Sequence, residues 1–337
     1  WAVSASIIAT EISAVTYVSL PSVVWRERRD LSYLQIGLLG SLIAKALVAW
    51  LLVPAYFERE LYSPYDYVAQ RFGEAGRRVT TALFTLGGIL GQSARVYLTA
   101  VVFEVVLFDE LAAVEAATGI PPLAASVLVI AIVAIAWTWM GGIATVVWTD
   151  AALFLLFLLG IGATLVFLGG ELSGGLWAAL SEGAEAGKFR LIDTSWDPRK
   201  AYTLPIALLV ASWGQIGPYG CDQLMVQRLL CCADARQARK AILASMGGMG
   251  VTFLVGTVGV ALWAFTREHE LSAAGAAMVA EKPDRIFPVV IAEVLPNGVK
   301  GLVLAGAFAA AISSLDSILA ALSQTTLTAL GRADGDP

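Results

Sequence analysis

GAFAAAISSLDSILAALSQTT, residues 306–326, is the stretch around which the rest of the chain is read. It is long enough to cross a bilayer, which takes roughly 20 apolar residues. It carries no proline, and no glycine after Gly306. Yet Ser313, Ser314, Asp316 and Ser317 sit together in its oily middle. A carboxylate and hydroxyls at membrane depth are costly and need partners. Oxygen groups on one small-residue helix suit a hard cation such as sodium. The alternative is that Ser and Ala let two helices pack closely, with Asp316 near a wet end.

Composition bounds the class. Of 337 residues, 58% are hydrophobic and 15% charged, and the mean hydropathy is +0.75. Soluble domains carry about 25% charge and about 45–50% apolar residues. The chain therefore reads as an all-α, multi-pass protein of the plasma or inner membrane, with the lipid bilayer as its solvent. The net charge of -5 falls mostly between the apolar runs, so no nucleic-acid partner is expected. Cys221, Cys231 and Cys232 have no CxxC spacing and read as structural. His269 is the single histidine, and no HExxH occurs, which argues against a membrane hydrolase. GGILGQS at 87–93 lacks the lysine of a phosphate-binding loop, so the chain is not expected to be an ATP-driven pump. Trp1 opens into an apolar run without a charged n-region, so no signal peptide is expected and the sequence reads as a piece.

Along the chain, eight spans are expected: 1–25, 31–57, 79–108, 122–140, 143–169, 201–227, 241–266 and 299–329. A polar segment at 58–78 reads as a loop with a short amphipathic helix. The first span is interrupted by ATEISAVT and weakened at Pro21. The sixth reads WGQIGPYGCDQ at 213–223, a centre that no regular helix would choose. In lipid such backbone survives only where it lines a cavity or is buried in protein. Interrupted spans at corresponding places of two halves point to inverted repeats with a site at the midplane. Here they stand first and sixth, five apart; if the repeat unit is five helices, the second repeat here holds only three. The expected organisation is one transmembrane domain, 1–337, with a first repeat at 1–169 and a partial second at 201–337 that lacks its last helices. Arg59, Arg71, Arg77 and Arg78 in one loop, and Arg228, Arg236, Arg239 and Lys240 in another, lie on one side, read as cytoplasmic. Arg26, Arg28 and Arg29 fall on the other side and disagree.

WAVSASIIATEISAVTYVSLPS in the first span resembles the opening core helix of the sodium:solute symporters, the group of sodium/glucose, sodium/proline and sialic-acid carriers. YVAQRFG at 67–73, GGIATVVWTD at 141–150, DQLMVQRLLCCADARQARKA at 222–241 and AAAISSLDS at 309–317 resemble further segments of that family, in the right order. The resemblance implies a LeuT-type five-plus-five inverted-repeat fold, here incomplete at the C-terminus.

It also implies sites. The main sodium site falls at the carbonyls of Ala9, Ile12 and Ala310 and the hydroxyls of Ser313 and Ser314. A second sodium, as the resemblance implies for some members, falls at Asp150 with Ser313 and Ser317. Asp316 stands where some relatives have a hydroxyl, so Asp150, Asp316 and Ser317 are expected to form a second cation site in which a proton can substitute, the alternative being that Asp150 caps its helix in water. The solute falls at Ser13, Thr16, Gln35 and Gln215. Two further candidates depart from the family's pattern: Glu11, where the sugar and sialate carriers tend to have a neutral residue, and Arg95, about one turn from the arginine of the sialate carriers. Arg95 offers a planar fork to a carboxylate, unless it pairs with Glu104. Glu11 suits a substrate ammonium or the ion, unless it is a structural hydrogen bond. The sugar-carrier lysine has Met249 in its place, which weakens a galactose-type reading. The implied activity is Na+-coupled import of a small polar organic solute, a carboxylate or amino acid, by alternating access without covalent chemistry. A proton-coupled or sodium-independent carrier, or a transporter-like sensor, is the alternative.

Overall fold

The computed structural model describes residues 1–12, 14–141, 143–197 and 199–329, excepting the side chains of 14, 15, 140, 141, 143–145 and 329. Ser13, one of the expected solute residues, lies outside the described residues.

Among the described residues, six helices are long and apolar enough to cross a membrane. They are Leu31–Glu58, Pro64–Val106, Pro122–Trp139, Val146–Glu171, Ala235–Glu268 and Asn297–Thr328. They match six of the eight expected spans. The other two are the broken ones. The opening span divides into Ala2–Glu11 and Ala14–Trp25, with a bend of 56° between the two halves. Ile12 ends the first half in an extended conformation, φ -88° and ψ 91°.

The sixth place is filled by a π-helical stretch at Ile206–Ala211, one α-turn at Ser212–Ile216 and a second π-helical stretch at Gly217–Cys221. Asp222 is extended and caps Gln223–Leu230 through its carboxylate, which accepts from Leu224 N at 2.8 Å. The Gly and Pro residues forbid a straight helix here. The wide π turns bring the backbone close against a neighbour: a Cβ at Gly220 would lie 2.4 Å from Leu52 Cδ1.

Two boundaries move outward from their expected places. Pro64–Val106 begins well before Val79, because Pro64 suits a first turn capped by Ser63. It is interrupted at Gly73, φ 72°, which divides a short leading helix from the span proper. Ala235–Glu268 begins before Ala241 because Asp234 caps it, accepting from Gln237 N at 2.7 Å.

The closing helix Asn297–Ala329 packs along Ile143–Glu171 and the two opening halves. Small residues permit the close approach. A Cβ at Gly160 would stand 3.1 Å from Tyr17 Oη and 3.4 Å from Leu302 O. Tyr17 Oη donates to Val303 O at 3.3 Å, pinning the opening span to the closing one. The core gathers there, with Ile12, Tyr17, Phe157, Phe287 and Ala310 buried together. Leu83, Leu86, Ile89 and Leu90 stay exposed on one helix, the pattern of a lipid-facing surface.

Candidate cation and solute sites

The break at Ile12 has an electrostatic consequence. The last turn of a helix presents carbonyls without intrahelical donors and the negative end of the dipole. Ala9 lies in that turn. Beside it is a cavity of about 10 Å³ lined by Ala9, Ile12, Phe154, Phe157, Ala310 and Ser313, among others. That is the size of one water. Four of the five residues expected for the main sodium thus meet at one ion-sized space. The fifth, Ser314, is fully buried, and its hydroxyl donates to Ala310 O at 3.1 Å, within its own helix.

Asp150, Asp316 and Ser317 also come together, but around a guanidinium. Arg228, on Gln223–Leu230, is completely buried, and its Nη2 lies 3.0 Å from Asp150 Oδ2. Its Nε donates to Ser6 Oγ at 2.9 Å, and its Nη2 also donates to Ser317 Oγ. Asp150 accepts two hydroxyl protons besides, from Ser6 at 2.5 Å and Ser313 at 2.5 Å. Its carboxylate is fully buried, so the helix-capping alternative in water is excluded. Asp316 is equally buried; Ser317 Oγ lies 3.1 Å from its Oδ1, and its Oδ2 has no hydrogen-bond partner among the described residues. Two readings need correction. Arg228 is a core cation, not a charge of the loop at 228–240, so it carries no weight for orientation. The carboxylate of Asp150 already holds one cation, so it is not an open ligand waiting for another. Sequence reasoning missed Arg228 because it adjoins true loop cations. An acid at membrane depth on an apolar helix was the signal that a buried base had to exist somewhere.

A second cavity, of about 310 Å³, lies on the other side of the break. Glu11, Thr16, Arg95 and Gln215 all line it, as expected. Met249 does so too, at the place of the sugar-carrier lysine. Arg95 faces Asp222 across this space, not Glu104, and its Nη1 is buried without a hydrogen-bond partner among the described residues. Glu11 is backed by Lys45, whose Nζ lies 2.7 Å away and also donates to Ser245 Oγ at 2.8 Å. Ser41, which the sequence did not single out, donates to Gln215 Oε1 at 2.5 Å. Gln35 does not reach the cavity. It is buried, donates to Tyr202 O at 2.8 Å and accepts from Asp193 N at 3.2 Å, so it staples a loop. Ile12 lines both cavities.

These features define a multi-pass membrane protein whose opening span breaks beside an ion-sized cavity and, together with the broken sixth span, lines a solute-sized one. The family model for the sodium:solute symporter family matches residues 1–329. The chain belongs to that family. It is 28% identical over 330 residues to the sodium/sialic acid symporter SiaT of Proteus mirabilis (strain HI4320), covering 96% of this chain and 62% of that one. It is 29% identical over 341 residues to the sodium/glucose cotransporter of Vibrio parahaemolyticus, covering 95% and 58%. To sodium-coupled monocarboxylate transporter 2 of Bos taurus it is 25% identical over 329 residues, covering 96% and 50%. The chain thus spans about half the length of the curated relatives it matches. A solved structure of a Na+-coupled sialic acid symporter, in a substrate-bound outward-open state, superposes with a TM-score of 0.81 at 24% identity, covering all of this chain and 68% of that one. The fold is accordingly the LeuT-like one.

Proposed function

We propose that this chain is the core of a sodium-coupled symporter that imports a small polar organic solute by alternating access. The observation that carries this reading is the position of Ile12. It ends the opening half-helix and lines both the ion-sized cavity and the solute-sized one. A cation drawn to the open helix end fixes the same residue that bounds the solute. Ion and solute then favour one conformation together, which is thermodynamic coupling.

In this reading Ala9, Ile12, Ala310, Ser313 and Ser314 hold the main sodium, and Glu11, Thr16, Arg95 and Gln215 hold the solute. Arg95 supplies a planar donor fork and Glu11 an acceptor, which favours a carboxylate or an amino acid. Asp150, Asp316 and Ser317 form a second cation site in which Arg228 is the resident cation. The unpartnered Asp316 oxygen is the group free to take a proton or a metal ion. One helix bundle rocks against the rest, and no bond is made or broken in the solute. Uptake into proteoliposomes made with the full-length protein tests the reading. Accumulation that follows an inward sodium gradient is the expected result. Uptake that ignores sodium, or follows only a proton gradient, overturns it.

A further inference from the structure

The cluster Arg26, Arg28 and Arg29 has no place in the function so far, and it opposes the orientation read from the other basic loops. Residues 25–31 and 58–64 stand at opposite ends of the helix Leu31–Glu58, so this cluster lies on the membrane side away from the basic loop at 58–78. Positive charge on the outer side runs against the usual topological preference and asks for a use.

The structure supplies company for it. Arg28 and Arg29 line a cleft of about 550 Å³ together with Arg190, Arg199 and Lys200 from the loop after Gly175–Glu185. Five cations face two carboxylates, Asp30 and Asp193. Both carboxylates are engaged. Asp30 accepts from Ser32 N at 2.9 Å. Asp193 accepts from Ser195 N at 2.9 Å and pairs with Lys200 at 3.0 Å and Arg190 at 3.2 Å. The Ser195 N–H and hydroxyl, then Lys200, hold its carboxyl well below the usual carboxylate range. Arg28, Arg29 and Arg199 make no ion pair among the described residues, and all are exposed. A concave surface with one excess sign focuses its field on the opposite sign in solution.

The floor of the cleft joins it to the solute cavity. Tyr33 lines both. Its ring meets Tyr202 edge to face, with centroids 5.2 Å apart, and Tyr202 lines the cleft. Gln35 holds the Tyr202 carbonyl from below. Tyr33 is thus common to the two spaces, and Arg95 lines the inner one.

We propose that the cleft formed by Arg28, Arg29 and Arg199 above the Tyr33–Tyr202 pair is an outer binding site for small organic carboxylates, which gathers anionic solute before it passes Tyr33 to Arg95. Its role in import rests on the transport reading; its binding of anions does not. The cleft selects by charge and takes carboxylates ahead of neutral molecules of the same shape.

The test uses the full-length protein in phosphatidylcholine nanodiscs without sodium, probed with lactate and its uncharged isostere lactamide by saturation-transfer NMR. Lactate is expected to bind and lactamide not. The triple variant Arg28→Asn, Arg29→Gln and Arg199→Gln is expected to weaken lactate about tenfold, roughly 1.4 kcal/mol. Asn is chosen at position 28 because φ is 58° there. Arg95→Gln is expected to keep the outer lactate signal. Equal signals from lactate and lactamide, or an unchanged signal in a triple variant whose thermal unfolding matches the parent, overturn the proposal. Loss of lactate binding in phosphatidylglycerol nanodiscs assigns the cleft to lipid headgroups and overturns it as well. Loss of sodium-driven uptake bears on the transport reading alone.

Discussion

Arg228 Nη2 and Asp150 Oδ2 lie 3.0 Å apart with both side chains fully buried, and the network around this pair joins four spans at one point. Ser6 on the opening half-helix bonds both partners, and Ser313 and Ser317 on the closing helix bond one each. The ion-sized cavity touches this network through Ser313. The ion-sized cavity and the buried pair are therefore mechanically connected through Ser313.

Breaking such a pair from one side leaves an uncompensated charge in the core, at a cost of about 3–5 kcal/mol. Arg228→Met is expected to lower stability by that order. Arg228→Met with Asp150→Asn is expected to recover most of the loss. Thermal unfolding of the four corners of this cycle in one detergent checks it. A double variant as unstable as Arg228→Met alone would show that packing, not charge, dominates.

The two adjacent serines separate in their expected effects. Ser313 lines the ion-sized cavity; the hydroxyl of Ser314 is turned to Ala310 O in its own helix. Ser313→Ala is expected to raise the sodium concentration for half-maximal uptake about tenfold, roughly 1.4 kcal/mol of ion binding. Ser314→Ala is expected to have the smaller effect. Because Ser313 also donates to Asp150, the same titration on Asp150→Asn separates the two roles. An Asp150→Asn shift equal to that of Ser313→Ala would place the effect in the buried pair.

Gln35 separates a staple from a solute ligand. Its amide bridges Tyr202 O and Asp193 N within the loop at 190–204. Gln35→Ala leaves those backbone groups without partners, at about 1–3 kcal/mol. Faster proteolysis of the loop at 190–204 and a lower unfolding temperature are expected, with the sodium titration unchanged. A pure rise in the solute KM without loss of stability would return Gln35 to the solute site.

How much of this was legible in the sequence varies with the physics. The two broken spans were, because Gly214 to Cys221 contradicts a helix locally. The meeting of Ala9, Ile12, Ala310 and Ser313 was, because the order of family-like segments carries helix-to-helix correspondence. Gln35 was misread because a polar residue on a span does not reveal whether its face meets a cavity or a loop, and the loop at 193–202 folds back from far along the chain. Arg228 was missed because its neighbours in sequence are solvated cations, while its neighbours in space come from three other spans. Local pattern reports on backbone; it does not report which distant acid a base will find.

Glu11 brings the structural and functional demands onto one side chain. Its carboxylate lines the solute cavity, while Lys45, only 1% exposed, lies 2.7 Å from Oε1 and leans over the Tyr219 ring at 4.8 Å. If the pair is only structural, neutralising both members restores everything that neutralising one removes. If Glu11 also serves the solute, the two readouts divide. Lys45→Met is expected to destabilise by about 3–5 kcal/mol, since Glu11 then stands without its counter-ion. Glu11→Gln with Lys45→Met is expected to regain that stability but to leave solute affinity at least about tenfold weaker. Unfolding temperature and the half-saturating solute concentration, measured on the same preparations, decide between the two. Full recovery of both would reduce Glu11 to a tie between the opening half-helix and Leu31–Glu58.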